Sequence, residues 1–200
     1  MPNTVLLNGG NLYRAITYAS IKSGKSIEEL KSTMINADIK SFMDLFNIEI
    51  KIEKNETVFY LSNIKLDEEL LQSKEVSMAV SLIGGKTDNK NLFKFAYNLI
   101  DSLRKEHNVI VAGRSVMKIY NKCDYHFFIT ASIEERVKRK ASQYNTNKLD
   151  EIRETIEKRD LLQEKAGFYE YSNITVEVDV TDSKSPIESA KKVLQKIKLD

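Results

Sequence analysis

Apolar positions along this chain recur at three different spacings, and each spacing predicts a different element. Val5, Leu6 and Leu7 form a short continuous apolar run that predicts a strand. Asn8-Gly9-Gly10-Asn11 follows and predicts a tight turn, with glycine supplying a positive φ. Leu12, Ala15, Ile16 and Ala19 then recur at helical spacing, so a helix leaves the turn. Ile27 to Ile35 patterns as a second helix, with Ser26 in position to cap it. Ile48-Glu49-Ile50-Lys51-Ile52 alternates apolar and polar, as a half-buried strand does; Asn55-Glu56 marks a turn, and Val58 to Leu61 is the return strand. A small hairpin is therefore expected over residues 48–66, between helices. Helical patterning begins again over Ser77 to Leu82, breaks at Gly84-Gly85 and resumes from Asn91 to Lys105.

In the second half, Val109-Ile110-Val111-Ala112 is apolar without alternation, the pattern of a parallel strand buried on both faces. Tyr125 to Ile129 predicts another such strand. Ser132-Ile133-Glu134-Glu135 has the spacing of a capping box and should open a helix to about Tyr144. Leu149 to Lys165 reads as a long charged helix and Ile174 to Val180 as the last strand. Ser185-Pro186-Ile187-Glu188 is a second capping box, with Pro at the first helical position of a helix reaching about Leu199. Strands alternating with helices predict an α/β fold with a mostly parallel sheet flanked by helices.

Composition narrows this picture. At 200 residues the chain suits one domain with a small insertion, and 42% hydrophobic residues suffice for one core. The 31 basic and 29 acidic residues nearly cancel, leaving no whole-chain charge signal for nucleic acid or a membrane surface. No apolar run reaches membrane-spanning length and no signal peptide is evident, which predicts a cytoplasmic protein. Cys123 is the single cysteine, and the cysteine and histidine spacing suggests no metal site. His126 sits in an apolar run and reads as a packed strand residue rather than a catalyst.

Ligands of open α/β sheets bind at the carboxyl ends of the strands. Three such ends matter here: those after Leu7, Ala112 and Ile129. Arginines stand beyond each of them, namely Arg14, Arg114, and the pair Arg136 and Arg139, with Arg159 following on the long helix. A guanidinium is a planar fork that fits phosphate oxygens two at a time, so arginines converging from separate loops can neutralise a polyphosphate. The same residues also serve, on many surfaces, as solubilising groups or salt-bridge partners.

The order of these motifs resembles the cytidylate kinase family of nucleoside monophosphate kinases. Asn8-Gly9-Gly10-Asn11-Leu12-Tyr13-Arg14-Ala15 is similar to that family's Asp-Thr/Ser-Gly-Ala-Met/Ile-Tyr-Arg segment, and residues 48–61 to its inserted CMP-binding hairpin. Lys74-Glu75-Val76-Ser77 and Ala79-Val80-Ser81 match the segment that follows, and Val109 to Arg114 the strand leading into Gly-Arg-Asp. Thr130 to Arg136 resembles the opening of the family's lid, Ile156-Glu157-Lys158-Arg159-Asp160 its Ile-Lys-Glu-Arg-Asp run, and Val178 to Asp182 its closing strand. The resemblance implies a P-loop-kinase-like fold with a helical lid over residues 132–165, and phosphoryl transfer from ATP to CMP or dCMP with Mg²⁺ accompanying the ATP. It places Arg14, Arg114, Arg159 and Asp160 at the monophosphate, and Arg136 and Arg139 over the transferring group.

The sequence departs from the family pattern at several of these positions. Gly9 stands where a hydroxyl residue is usual, Ser115 replaces the carboxylate of Gly-Arg-Asp, and Gln72 replaces an arginine. Ile100-Asp101 occupies the place of a Gln-Arg pair, Leu162-Gln163 that of a second Arg-Asp, and Ala166 that of a later arginine. The family opens with a strand and a Gly-x-x-x-x-Gly-Lys-Ser/Thr loop that cradles ATP phosphates, whereas this sequence opens at the pattern's second strand. Gly24-Lys25-Ser26 and Gly85-Lys86-Thr87 share the loop's ending, but Ala19 and Val80 stand where its first glycine belongs, and both read as helix-end turns. Two further expectations therefore accompany the enzyme reading. One is a nucleotide- or anion-binding protein without turnover. The other is an assembly partner, homo-oligomeric or paired with another chain that covers an exposed sheet edge.

Overall fold

The computed structural model describes residues 3–24, 29, 39–73, 75–77, 79–80, 90–114, 116–165, 167, 169 and 171–197. The chain forms two compact units, Met1–Tyr120 and Asn121–Asp200.

The first unit begins with β1 (Thr4–Asn8) and α1 (Gly9–Ser23), followed by α2 (Ile39–Phe46), β2 (Ile48–Glu53), β3 (Glu56–Leu61) and β4 (Ile64–Lys65). It continues with α3 (Glu68–Leu71), α4 (Lys90–Leu103), β5 (Asn108–Ala112) and α5 (Val116–Ile119). The sheet runs in the order β2-β3-β1-β5, with β4 hydrogen-bonded to β3. β1 is parallel to both of its neighbours, and β2 and β3 form an antiparallel hairpin. The hairpin is more than an appendage, because β3 adds to the main sheet: Leu6 N donates to Asn55 O at 2.8 Å, and the buried Thr57 hydroxyl donates to Leu6 O at 3.2 Å. Its turn falls on Lys54 and Asn55, both at positive φ (50° and 68°), one residue earlier than expected. That two-residue left-handed turn matches the right-handed twist of the strands it joins, and leaves Glu56 free to start β3.

The predicted face of α1 is the one that packs: Leu12, Ala15, Ile16 and Ala19 are all buried. They meet Leu7, Phe46, Ile48, Phe59, Phe95 and Leu99 in one cluster. Gly9 and Gly10 do not form a positive-φ turn; they are the first residues of α1, and Asn8 is its cap. Gly24 ends the helix in the left-handed conformation at φ 66°, its N–H bonded to Ile21 O, the helix-end role expected of it.

β5 differs from expectation. It pairs with β1 and lies last in the sheet order among the described residues. Its side chains alternate: Val109 and Val111 pack on the core cluster, whereas Ile110 is 55% exposed. An apolar run without alternation was read as buried on both faces, but here the core covers one face only.

The second unit contains β6 (His126–Thr130), α6 (Ile133–Tyr144), α7 (Leu149–Lys165), β7 (Thr175–Asp179) and α8 (Pro186–Leu194). β6 and β7 form a parallel pair. β6 also departs from the two-face burial expected of it, since Ile129 is 49% exposed. α6 and α7 pack through Val137, Ala141 and Ile152. Both predicted caps form at their first member, with Ser132 Oγ accepting from Glu135 N and Ser185 Oγ from Glu188 N. The reciprocal arms go elsewhere: Glu135 binds Arg139, and Glu188 accepts from Lys184 N. α8 ends at Leu194, short of the predicted Leu199. Ser132→Ala should lower the stability of this unit by about 1 kcal/mol, the usual effect of losing a cap, read as a shifted urea midpoint at unchanged slope.

Ser26, most of the helix predicted over residues 27–35, and Gly84-Gly85 lie outside the described residues; Ser77, Ala79 and Val80 are helical as expected. Among the described residues, no helix is long and apolar enough to cross a membrane.

Candidate functional site

In the first unit the parallel register of β1 and β5, Asn8 opposite Ala112, sets two carboxyl strand ends side by side. The chain crosses there very closely. A Cβ on Gly9 would lie 3.4 Å from Ala112 O and 4.0 Å from Gly113 Cα. A Cβ there would make ordinary van der Waals contact with the neighbouring strand end. α1 starts at the same place, its first turn capped by Asn8 Oδ1, which accepts from Asn11 N at 3.3 Å. Arg114 follows Gly113 directly and is exposed. A helix N-terminus and a neighbouring guanidinium at paired strand ends form an environment suited to an anion.

Arg14 lies in the second turn of α1, half-buried. Its Nη1 donates to Leu71 O at 2.8 Å and to Ser77 Oγ at 2.9 Å, which ties α1 to the end of α3 and to the helical segment containing Ser77. Asn11 Nδ2 donates to Glu68 Oε2 at 3.0 Å across the same seam. The Tyr13 hydroxyl is buried without a hydrogen-bond partner among the described residues, and that burial pushes its pKa up. Asp101, where a family arginine was expected, accepts from the Tyr120 hydroxyl at 3.2 Å; Arg104 Nη1 donates to the same hydroxyl at 2.5 Å. A carboxylate in this network presents acceptors where a guanidinium would have presented donors.

In the second unit the two predicted groups Arg136 and Asp160 meet directly. Arg136 Nη1 lies 2.6 Å from Asp160 Oδ2 and Nη2 lies 2.9 Å from Oδ1, a two-point ion pair joining α6 to α7. The Asp160 carboxylate holds the guanidinium above its ordinary pKa range. Tyr169 adds a hydroxyl 3.3 Å from Asp160 Oδ1 and 2.9 Å from Gln163 Oε1. Arg139 faces elsewhere: Nε donates to Glu135 at 2.9 Å, and Nη2 to the carbonyls of Val180 and Ser183 at 2.8 and 3.1 Å. It clamps the loop at the carboxyl end of β7. Arg159 is exposed and forms no ion pair among the described residues. His126 Nδ1 lies 2.8 Å from Thr175 Oγ1 on the neighbouring strand, and partial burial lowers its pKa.

The six predicted residues are thus distributed over the two units: Arg14 and Arg114 in the first, and Arg136, Arg139, Arg159 and Asp160 in the second. Sequence reasoning missed Ser77 and Tyr169. Ser77 stood inside a motif already singled out, so its hydroxyl was a signal available to be used; Tyr169 had none. Among the described residues, no group of three or more His, Cys, Asp or Glu side chains could hold a metal ion.

The family described as cytidylate kinase matches residues 2–199. A cytidylate kinase of Mycoplasmopsis synoviae is 30% identical over 166 residues, covering 79% of this chain and 69% of the relative. One from Clostridioides difficile is 29% identical over 212 aligned positions, covering 98% of this chain and 88% of the relative. A third, from Halalkalibacterium halodurans, is 25% identical over 183 positions, with coverages of 88% and 78%. The α/β architecture, a mostly parallel sheet flanked by helices, is consistent with the P-loop-kinase-like fold. With a match across nearly its whole length, this chain belongs to the cytidylate kinase family.

Proposed function

We propose that this protein is a nucleoside monophosphate kinase, cytoplasmic, that binds CMP or dCMP and transfers the γ-phosphoryl group of ATP to it. The supporting observation is the paired carboxyl ends of β1 and β5, where Gly9 and Gly113 bring two backbones together beside the start of α1 and Arg114. In this reading Arg114 and Arg14 meet the monophosphate, with Arg14 placed by its bonds to Leu71 and Ser77. In the second unit, Arg159 and Asp160 of α7 are the candidate nucleotide contacts, and Arg136 and Arg139 belong to the lid. Phosphoryl transfer asks little covalent chemistry of a protein; positioning and charge neutralisation by guanidinium groups supply most of the effect. Mg²⁺ arriving with ATP would neutralise further phosphate charge. CMP, dCMP and ATP are the expected partners, with no nucleic acid and no membrane.

One observation favours a second reading, CMP binding without turnover. These 200 residues contain no Gly-x-x-x-x-Gly-Lys-Ser/Thr run, and the backbone donors, lysine and hydroxyl of such a loop are what hold ATP in P-loop kinases. A third, assembly through a sheet edge, rests on β5, which ends the sheet order among the described residues.

Calorimetric titration with CMP, paired with a CDP-formation assay in ATP and Mg²⁺, tests these readings. Saturable CMP binding with CDP formation is the expected result. CMP binding without CDP selects the second reading. Absence of any CMP binding overturns both, and concentration-dependent sedimentation would then support the third.

A further inference from the structure

The lid arginine expected to meet phosphate does not present a vacant fork. Arg136 spends both terminal nitrogens on the two oxygens of Asp160, at 2.6 and 2.9 Å. That end of the guanidinium is the one a phosphate would grip with two oxygens, and the carboxylate already occupies it with the same geometry. Asp160 is held in place from behind. The Tyr169 hydroxyl lies 3.3 Å from Oδ1, and the Tyr169 ring is set edge-on against Phe128 at 5.6 Å between centroids. One hydroxyl proton cannot serve both Asp160 Oδ1 and Gln163 Oε1, so Tyr169 orients the carboxylate without saturating it. Val137, Ala141 and Ile152 pack the two helices together.

The pair is also built to open. The side chains of Arg136 and Asp160 are 37% and 28% exposed, so the carboxylate has water available when displaced. Pairs this exposed are worth little to stability, which leaves room for a role in ligand exchange.

We propose that Asp160 is a built-in competitor for the phosphate fork of Arg136, so that a phosphate-bearing ligand binds the α6–α7 hairpin only by exchanging with this carboxylate. This rests on reading Arg136 as a group that meets phosphate. The ion pair is a closed latch: it stores the guanidinium in a formed, oriented state, weakens its affinity for weak anions, and yields to a ligand carrying more charge than a single carboxylate.

Inorganic pyrophosphate is the probe, titrated calorimetrically into the full chain. Asp160→Asn keeps the side-chain shape and removes the charge, and should tighten pyrophosphate binding about fivefold, the scale of a partly exposed ion pair. Asp160→Ala should move it in the same direction. In an Arg136→Ala background, Asp160→Asn should have no effect, because the cycle isolates the pair. A purely structural salt bridge predicts the opposite sign, since loosening the hairpin would weaken binding. Equal or weaker binding in Asp160→Asn, or no pyrophosphate binding by wild type and variant alike, overturns the latch. Tightened pyrophosphate binding in a protein that ignores CMP would overturn the nucleotide reading and leave the latch standing.

Discussion

Phe59→Ala should lower the unfolding free energy of the first unit by about 3–5 kcal/mol, the range for removing a buried aromatic ring. Phe59 is 2% exposed and is the largest fully buried side chain among the described residues. It lies on β3, paired with Ile50 of β2 on one side of the strand and packed into the cluster with Leu7, Leu12 and Phe95. Ile64→Ala is the matched control. Ile64 is 69% exposed on β4, and surface substitutions of that kind fall within about 0.5 kcal/mol of zero. Urea unfolding of both variants provides the check. A loss under about 1 kcal/mol for Phe59→Ala would mean that the hairpin is not part of the main core.

That prediction depends on a feature the sequence only half disclosed. The alternation over Ile48–Ile52 made the hairpin readable, but periodicity reports which face is buried and not which strand lies alongside. The addition of β3 to β1 rests on Asn55 O, Leu6 N and the Thr57 hydroxyl, three groups with no signature in hydropathy. The helix faces were more legible, since Leu12, Ala15, Ile16 and Ala19 must share a side on any helix, and the two serine caps announced themselves by spacing. Glycine was misread for a physical reason: positions 9 and 10 suggested a turn needing positive φ, whereas Asn8 caps α1 and both glycines start the helix without positive φ. The same limit applies to β5 and β6. An unbroken apolar run shows that a strand can be buried on both faces, and the structure decides how many faces are covered.

For the site, the sequence supplied residue types and strand ends but not their bonds. Arg136 and Asp160 were both selected as phosphate-site residues and turned out to hold each other. Arg139, selected with them, is engaged by Glu135 and two carbonyls. Arginine is chosen for phosphate and for carboxylate by the same planar fork, so sequence alone cannot tell which partner it has found. Arg114 stands exposed at the strand end next to Gly113, the place where ligands of open α/β sheets bind.

Arg114→Ala should therefore weaken CMP binding roughly 30- to 150-fold, corresponding to the loss of a charged hydrogen bond of about 2–3 kcal/mol. The effect belongs to the phosphate, so cytidine, which lacks it, should bind wild type and variant alike. Arg114→Lys keeps the charge but loses the fork, and should recover part of the affinity, remaining about tenfold below wild type. Lys118→Ala, removing an exposed positive charge on nearby α5, should change the CMP dissociation constant by less than about twofold, since exposed charges at a distance are screened. Arg14→Ala also removes the bonds to Leu71 and Ser77 and so mixes folding with binding. Should CMP turnover be present, loss of an interaction made equally in ground and transition states raises KM at constant kcat, whereas a lowered kcat would place Arg114 on the transferring group. A CMP affinity unchanged by Arg114→Ala would remove the paired ends of β1 and β5 from the nucleotide site altogether.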